Sequence, residues 1–253
     1  MARRRAVQRT QSPPRLTNNP NLLLAALPLD DYARVERSLA VVPTRVKQTL
    51  HEAGELVEFV YFPGHGFCSV LTLLDDGRMV EVATIGREGA VGLPAIARDT
   101  VSCSSWMVQA PIDPCFRMSG GAYRSEMDRR GAFYDILTRY SQAMVGFVMQ
   151  STVCNAVHLT EQRLARWLLM ARDRVESDEF PLTQEWLAMM LGASRPTVTV
   201  AAGALQKAGL IRYRHGVMTV VDAAALEEAS CECYRRVTDL LDSVTRTSLR
   251  AVS

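Results

Sequence analysis

The run Leu182-Thr-Gln-Glu-Trp-Leu-Ala-Met-Met-Leu-Gly-Ala-Ser-Arg-Pro-Thr-Val-Thr-Val200 has the spacing of two short helices joined by a tight turn. Ala188 is small enough for a second helix to approach closely. Gly192, four residues later, permits a positive φ in the turn, and Val198, six beyond that, fills the angle between the helices. The same spacing occurs in ordinary helix pairs, so its surroundings decide what it means. If the reading holds, the helix beginning near Ser194 is the one expected to enter a duplex groove.

The chain has 253 residues, enough for one large or two modest domains with cores of their own. Its composition, 48% hydrophobic and 22% charged with a mean hydropathy near zero, is that of a soluble globular protein. The apolar runs fall far short of the ~20 residues that a membrane span requires, so no membrane partner is expected. Met1-Ala-Arg-Arg-Arg5 has the charge of an export signal, but no apolar stretch follows it. A cytoplasmic location is therefore expected. Net charge is only +2, which leaves nucleic-acid binding open because cations can cluster on one face. The arginine-rich start, with Pro13, Pro14, Asn18, Asn19 and Pro20, predicts a disordered basic tail over residues 1–20 rather than a DNA-contacting arm. Six cysteines stand at 68, 103, 115, 154, 231 and 233, with no Cys-x2-Cys pair. No metal site and no iron–sulfur cluster is expected, and Cys231 and Cys233 read as two reduced thiols on a C-terminal helix.

Local patterning divides the rest. A helical pattern from Leu22 to Arg37 is broken by Pro28. Glu55 to Phe62 is rich in β-branched and aromatic residues and is expected to end at Pro63-Gly-His-Gly66 as a turn. Strands over Phe67–Leu74 and Arg78–Ile85 flank an Asp75-Asp-Gly77 hairpin signal, and Met107–Ala110 and Cys115–Met118 suggest shorter ones. Short strands at this spacing predict an antiparallel roll. After Ser119 the pattern changes to helix. Phe133, Leu137, Tyr140, Met144, Phe147, Ser151 and Cys154, followed by His158, alternate at spacings of four and three along one long helix. We assign this stripe to a parallel dimer seam, with packing against the chain's own roll as the alternative. Thr160 is expected to cap the next helix, whose buried side is Leu164, Trp167, Leu168 and Ala171. The expected fold class is α+β. Residues 21–130 form the β-roll, 131–158 the dimerisation helix, 159–235 a winged helix-turn-helix, and 236–253 a C-terminal tail.

Within the helical domain, Thr183 and Ser194 are N-caps, and Pro196 lies in a first turn where no intrahelical donor is lost. Ile211 to Val221 looks like two strands around His215-Gly216, a basic wing. Helix-turn-helix plus wing is much more specific than the helix pair alone. Arg195 is expected to contact a base, guanine O6 and N7 matching its fork. Ser194, Thr197 and Thr199 are placed beside it, Thr183 and Gln184 toward phosphate, and Arg212 and Arg214 along the backbone.

Taken together, these segments resemble the cyclic-AMP receptor / fumarate–nitrate regulator (Crp/Fnr) family over residues ~22 to 234. The resemblance rests on Leu182 to Ile211, on Val60-Tyr-Phe-Pro63 and on Ile85-Gly-Arg-Glu-Gly-Ala-Val-Gly-Leu93. It implies a cyclic-nucleotide-binding-like jelly roll, a homodimer, base contact at Arg195, and phosphate contacts at Thr183, Ser194 and Thr197. It also implies RNA polymerase as a partner. Two family base-reading positions instead hold Pro196 and Val200, which lack the usual hydrogen-bonding groups. The effector cassette departs further: Gly89-Ala90 stands for Gly-Glu, and Ser104-Ser105 for the Arg-Ser that holds a cyclic phosphate. Without that arginine a buried phosphate lacks its counter-charge, so cyclic nucleotide is not expected and the cofactor stays unassigned. The cysteine cluster of the oxygen-sensing branch is absent, and His51 and His65 read as surface residues rather than haem ligands.

The reading is a non-enzymatic, sequence-specific regulator binding double-stranded DNA as a homodimer on a palindromic operator. The alternative is a β-roll signalling module whose helix-turn-helix contacts protein. No nucleophile–base pair stands out, and Gly86-x-x-Gly-x-x-Gly92 lies between strands, where it is a turn and not a phosphate loop.

Overall fold

The computed structural model describes residues 17–248. The expected basic tail over 1–20 lies outside the described residues as far as position 16. Its last part is ordered, in contrast to the expectation, because Asn19 and Asn21 are buried. Asn21 caps α1 (Leu22–Ala25) by accepting from the Leu23 and Leu24 amides. Its amide group donates to Pro63 O at 2.8 Å and Gly89 O at 2.9 Å, so this one side chain ties the first helix to a strand of the sheet and to the loop at Gly89. Pro28 separates α1 from α2 (Leu29–Glu36), as the sequence indicates.

The roll contains β1 (Leu39–Val42), β2 (Thr49–His51), β3 (Phe59–Leu73), β4 (Met79–Ile85) and β5 (Ser105–Ser119). All pairings are antiparallel, in the order β1-β5-β3-β4, with β2 also on β5. Two expectations are corrected here. Pro63-Gly-His-Gly66 is not a turn, and the two short strands near 107 and 115 are one. β3 and β5 each run 15 residues, paired from Phe59↔Ser119 to Leu71↔Ser105 with register shifts around His65 and Phe67. The glycines allow this continuity. Gly66 has φ +82°, and a Cβ there would lie 2.1 Å from Pro111 O, so the strands bend past each other at this point instead of separating. His51 is likewise buried, its ring edge-on to Tyr61 and Trp106, and not at the surface.

Ser119 caps α3 (Gly120–Asp128), and α4 (Ala132–Val157) follows as a single 26-residue helix. The predicted dimer seam faces inward. Phe133, Leu137, Tyr140, Phe147, Ser151 and Cys154 are buried by their own chain, and Met144 packs half-buried against the same core. Phe133 meets Phe62 and Tyr123, and Tyr140 sits over Gly89. The spacing marks a buried face, but at Phe133 and Tyr140 the surface it meets is the roll, the alternative reading, and at Cys154 it is Cys231 and Cys233. A face on the other side of α4 stays open: Val145 (61% exposed), Met149 (65%), Val153 (52%) and Val157 (66%) recur every fourth residue.

The remaining elements are α5 (Thr160–Val175), β6 (Glu179–Pro181), α6 (Gln184–Leu191), α7 (Arg195–Lys207), β7 (Ile211–Arg214), β8 (Val217–Val220), α8 (Ala223–Ala229) and α9 (Cys233–Ser248). The cap of α5 is Leu159, not Thr160: Gln162 Oε1 reaches back to the Leu159 amide at 3.2 Å. The tail expected from residue 236 is, through Ser248, the helix α9. It lies against α4 so closely that a Cβ on Gly146 would stand 2.8 Å from Leu240 Cδ2. Val237, Leu241 and Val244 supply its buried side at helical spacing. No helix among the described residues is long and apolar enough to cross a membrane.

The helical domain docks on the roll through polar as well as apolar contacts. Trp167 of α5 donates to Glu81 of β4, and Arg174 of α5 meets Glu88 at 2.7 Å, both groups of that pair largely buried. Lys47 lies 5.7 Å from the Trp186 ring centroid. Between the two parts runs a cleft of about 410 Å³, edged by Phe67, Trp167, Phe180 and Trp186.

Candidate nucleic-acid interface

α6 and α7 form the expected angle, each started by its own cap. Thr183 Oγ1 accepts from the Trp186 amide at 3.3 Å, and Ser194 Oγ from the Thr197 amide at 3.3 Å. Each such cap is worth about 1 kcal/mol. Gly192 adopts φ +56°, and its amide returns to Ala188 and Met189 carbonyls while Ala193 N also donates to Ala188 O. Val198 is fully buried in the angle. The three residues that mark the motif thus sit where their sizes and backbone preferences require.

Burying Val198, Ala201, Ala202 and Leu205 turns the opposite side of α7 outward. Arg195, Pro196, Thr197, Thr199, Val200, Gln206 and Lys207 are all exposed. Arg195 is at the first turn, its guanidinium 2.5 Å from Glu185 Oε1 at the start of α6. Both side chains are about two-thirds exposed (64% and 68%), so the pair contributes at most about 1 kcal/mol and yields readily to a stronger partner. Ser194 Oγ and Thr197 Oγ1 are 2.8 Å apart, which uses one hydroxyl proton and leaves the other for an outside acceptor. Thr199 differs: its hydroxyl donates back to Arg195 O at 2.9 Å, so it presents mainly its methyl group and lone pairs. Gln184 is half-buried beside it, Oε1 being 3.4 Å from the Thr199 hydroxyl.

β7 and β8 form the wing hairpin, closed by His215 (φ +51°) and Gly216 (φ +77°), the conformation of a tight two-residue turn. Arg212 and Arg214 are exposed on β7. Sequence reasoning missed the third strand, β6, which pairs with β8 at Glu179↔Thr219. It also missed Gln206, whose Oε1 accepts the Tyr213 amide at 2.8 Å and so fixes the wing to the end of α7.

The cassette residues are engaged by other residues of the chain. Gly89 and Ala90 are buried, and Gly89 is bare because the Tyr140 hydroxyl occupies the place of its side chain: a Cβ would lie 2.2 Å from it. Gly86 gives way to the Arg174 stem in the same manner, a Cβ there standing 2.7 Å from Arg174 Cγ. Gly86 and Gly89 are therefore a packing surface for α5 and α4. Ser104 is buried, its carbonyl accepting from Ser102 Oγ at 2.6 Å, and Ser105 Oγ donates to Glu52 at 3.0 Å. None of the four lines the interdomain cleft.

Residues 162–229 match the family described as the Crp-like helix-turn-helix domain. Solved structures resemble the chain at the level of fold. One is a transcriptional regulator of the CRP family from Thermus thermophilus, with TM-score 0.63 and 20% identity over 75% of this chain and 96% of that one. FixK2 from Bradyrhizobium japonicum gives 0.58 and 17% over 76% and 98%. A CooA mutant from Carboxydothermus hydrogenoformans gives 0.59 and 17% over 85% and 97%. No curated protein sequence matches.

Proposed function

We propose that this chain, which has the Crp/Fnr-type regulator fold and carries a Crp-like helix-turn-helix domain, is a transcription regulator that binds duplex DNA as a homodimer on a palindromic operator. The observation that carries the reading is the outward face of α7, with Arg195 at its first turn and the Arg212–Arg214 strand fixed to its far end by Gln206. In a major groove, Arg195 leaves Glu185 for guanine O6 and N7. Thr183 and Ser194 hydroxyls donate to phosphate, as do the wing arginines. Pro196 and Val200, both exposed, offer apolar contact to thymine methyl groups instead of hydrogen bonds, so the half-site differs from one read by polar residues at those positions.

The homodimer is supported by the open face of α4, where Val145, Met149, Val153 and Val157 form an exposed apolar stripe inclined to the helix axis. Pairing two such stripes sets the recognition helices about one DNA turn, ~34 Å, apart. A signal then acts by biasing the pose of the helical domain against the roll, a two-state rearrangement.

Selection from randomised duplexes followed by footprinting is the direct test. A symmetric consensus with half-sites about 10 base pairs apart, and affinity falling steeply with salt, is expected. Absence of any enriched sequence, with salt-insensitive binding to a protein partner, would instead favour the signalling module.

A further inference from the structure

Two pairs of side chains, 77 residues apart between Cys154 and Cys231, meet at the turn between α4 and α5. Cys154 is in the last turn of α4, His158 is its C-terminal cap, and Cys231 and Cys233 flank Glu232 at the start of α9. Three thiol sulfurs and one imidazole nitrogen lie within 4.8 Å of one another. Cys154 Sγ is 3.5 Å from Cys231 Sγ, and Cys233 Sγ is 3.6 Å from His158 Nδ1. All three cysteines are buried and none is in a disulfide. Cys154, assigned above to the dimer seam, belongs to this cluster, and Cys231 and Cys233 are not simply two thiols on a helix surface.

We propose that Cys154, His158, Cys231 and Cys233 bind one zinc ion, as a closed structural site of three thiolates and one imidazole. The spacing supports a single ion. Tetrahedral bonds of ~2.3 Å to sulfur and ~2.1 Å to nitrogen put neighbouring ligand atoms about 3.6–3.8 Å apart, close to the distances between the free side chains. Thiolate with imidazole is a zinc set, not a calcium or magnesium one. An iron–sulfur cluster would hold its cysteines further apart, because its iron atoms intervene.

The surroundings provide what such a site needs. His158 directs Nδ1 inward while Nε2 lies 3.3 Å from Glu232 Oε2, the carboxylate that fixes ring orientation and tautomer. Gln150 Nε2 donates to Cys233 Sγ at 3.0 Å. Three thiolates on a divalent ion leave one negative charge, and the buried Arg166 of α5 stands near enough to act on Cys154 and Cys231. The site would join the end of the long helix to the start of α9 across 77 residues of sequence. It thereby holds the turn at 158–159 from which the helical domain departs.

The test uses the full-length protein, purified under reducing conditions without a histidine tag and analysed for metals. About one zinc per chain is expected. Cobalt(II) added to metal-stripped protein should give strong thiolate-to-cobalt charge-transfer absorption with tetrahedral d–d bands. Cys231→Ser with Cys233→Ser should lose the bound zinc. Because that variant could fail to fold, Glu232→Gln provides a second arm on an exposed residue: it should still bind zinc, but about 10–100-fold more weakly. Three results overturn the proposal: no zinc and no cobalt spectrum in the native chain, iron with acid-labile sulfide, or a Cys154–Cys231 disulfide in protein isolated under reductant. None of these readouts depends on DNA binding.

Discussion

Trp167 donates its indole N–H to Glu81 Oε1 across 2.7 Å, joining α5 to β4 at a point where both are buried. Ser69 donates to the other carboxyl oxygen and also lies 3.6 Å from Met190 Sδ of α6. Glu81 thus joins the roll to α5, and its partner Ser69 reaches on to α6, the first helix of the helix-turn-helix.

Burial pushes the Glu81 carboxyl up to about 7, against the pull of the Ser69 and Trp167 hydrogen bonds and of Arg166 and Arg174. The unfolded carboxyl titrates near 4.5, so between those values the folded chain holds a proton that the unfolded chain has lost. The Glu81 contribution is therefore most favourable below about 4.5 and weakens as pH rises to about 7, by on the order of 3 kcal/mol in total. Glu81→Gln keeps the shape and the partners but removes the proton. Urea midpoints at pH 5 and pH 8 should differ less in the variant than in the native chain; an unchanged difference would refute the assignment.

The Arg174–Glu88 pair predicts a different outcome. Both groups are mostly out of water, and Arg174 also donates to Met170 O and Thr84 O. Arg174→Ala leaves Glu88 with the Gly86 amide but without a counter-charge, and should cost about 3–5 kcal/mol. Arg174→Met combined with Glu88→Leu should recover most of that loss, since no charge then stays buried. Chemical denaturation of the single and double variants decides it.

Two faces of α4 should respond oppositely to a charge. Val145→Glu with Met149→Glu alters only exposed positions, and is expected to give a folded monomer by sedimentation with unchanged circular dichroism. Phe147→Glu, placed in the core at 2% exposure, should prevent folding. A dimer that survives the outer pair of substitutions would remove α4 as the interface.

Arg195 tests the reading head. Arg195→Ala should weaken operator binding by about 1–3 kcal/mol and flatten preference at one base step. Arg195→Lys retains the charge without the fork, so it should lose the preference while keeping more of the affinity. Glu185→Gln releases Arg195 from a surface pair and removes a negative charge near phosphate; it should not weaken binding. Titrations against the selected operator and single-base variants of it distinguish the three.

The helix-turn-helix was legible in the sequence because its determinants are local. A cap, a glycine turn and a β-branched plug act within five or six residues of themselves, so Thr183, Ser194, Gly192 and Val198 can be placed without knowledge of the rest of the chain. The same holds for the His215-Gly216 hairpin and for the break at Pro28. Thr199 shows the limit of this, since its type suggests a donor to DNA but its hydroxyl is already used one turn back along its own helix.

Local pattern alone therefore determined where α6 and α7 begin, where the wing turns and which stripe of α4 is buried. The tertiary structure decided what each buried stripe meets. Periodicity records that Phe133, Leu137, Tyr140 and Phe147 leave water, but a roll and a second helix exclude water equally well. Long strands through Pro63–Gly66 exist because the glycines find Pro111 and Pro114 opposite them, partners some 50 residues away in sequence. Cys154, His158, Cys231 and Cys233 carry no signal in their order along the chain. Only the packing of α9 on α4 brings their ligand atoms within reach of one ion.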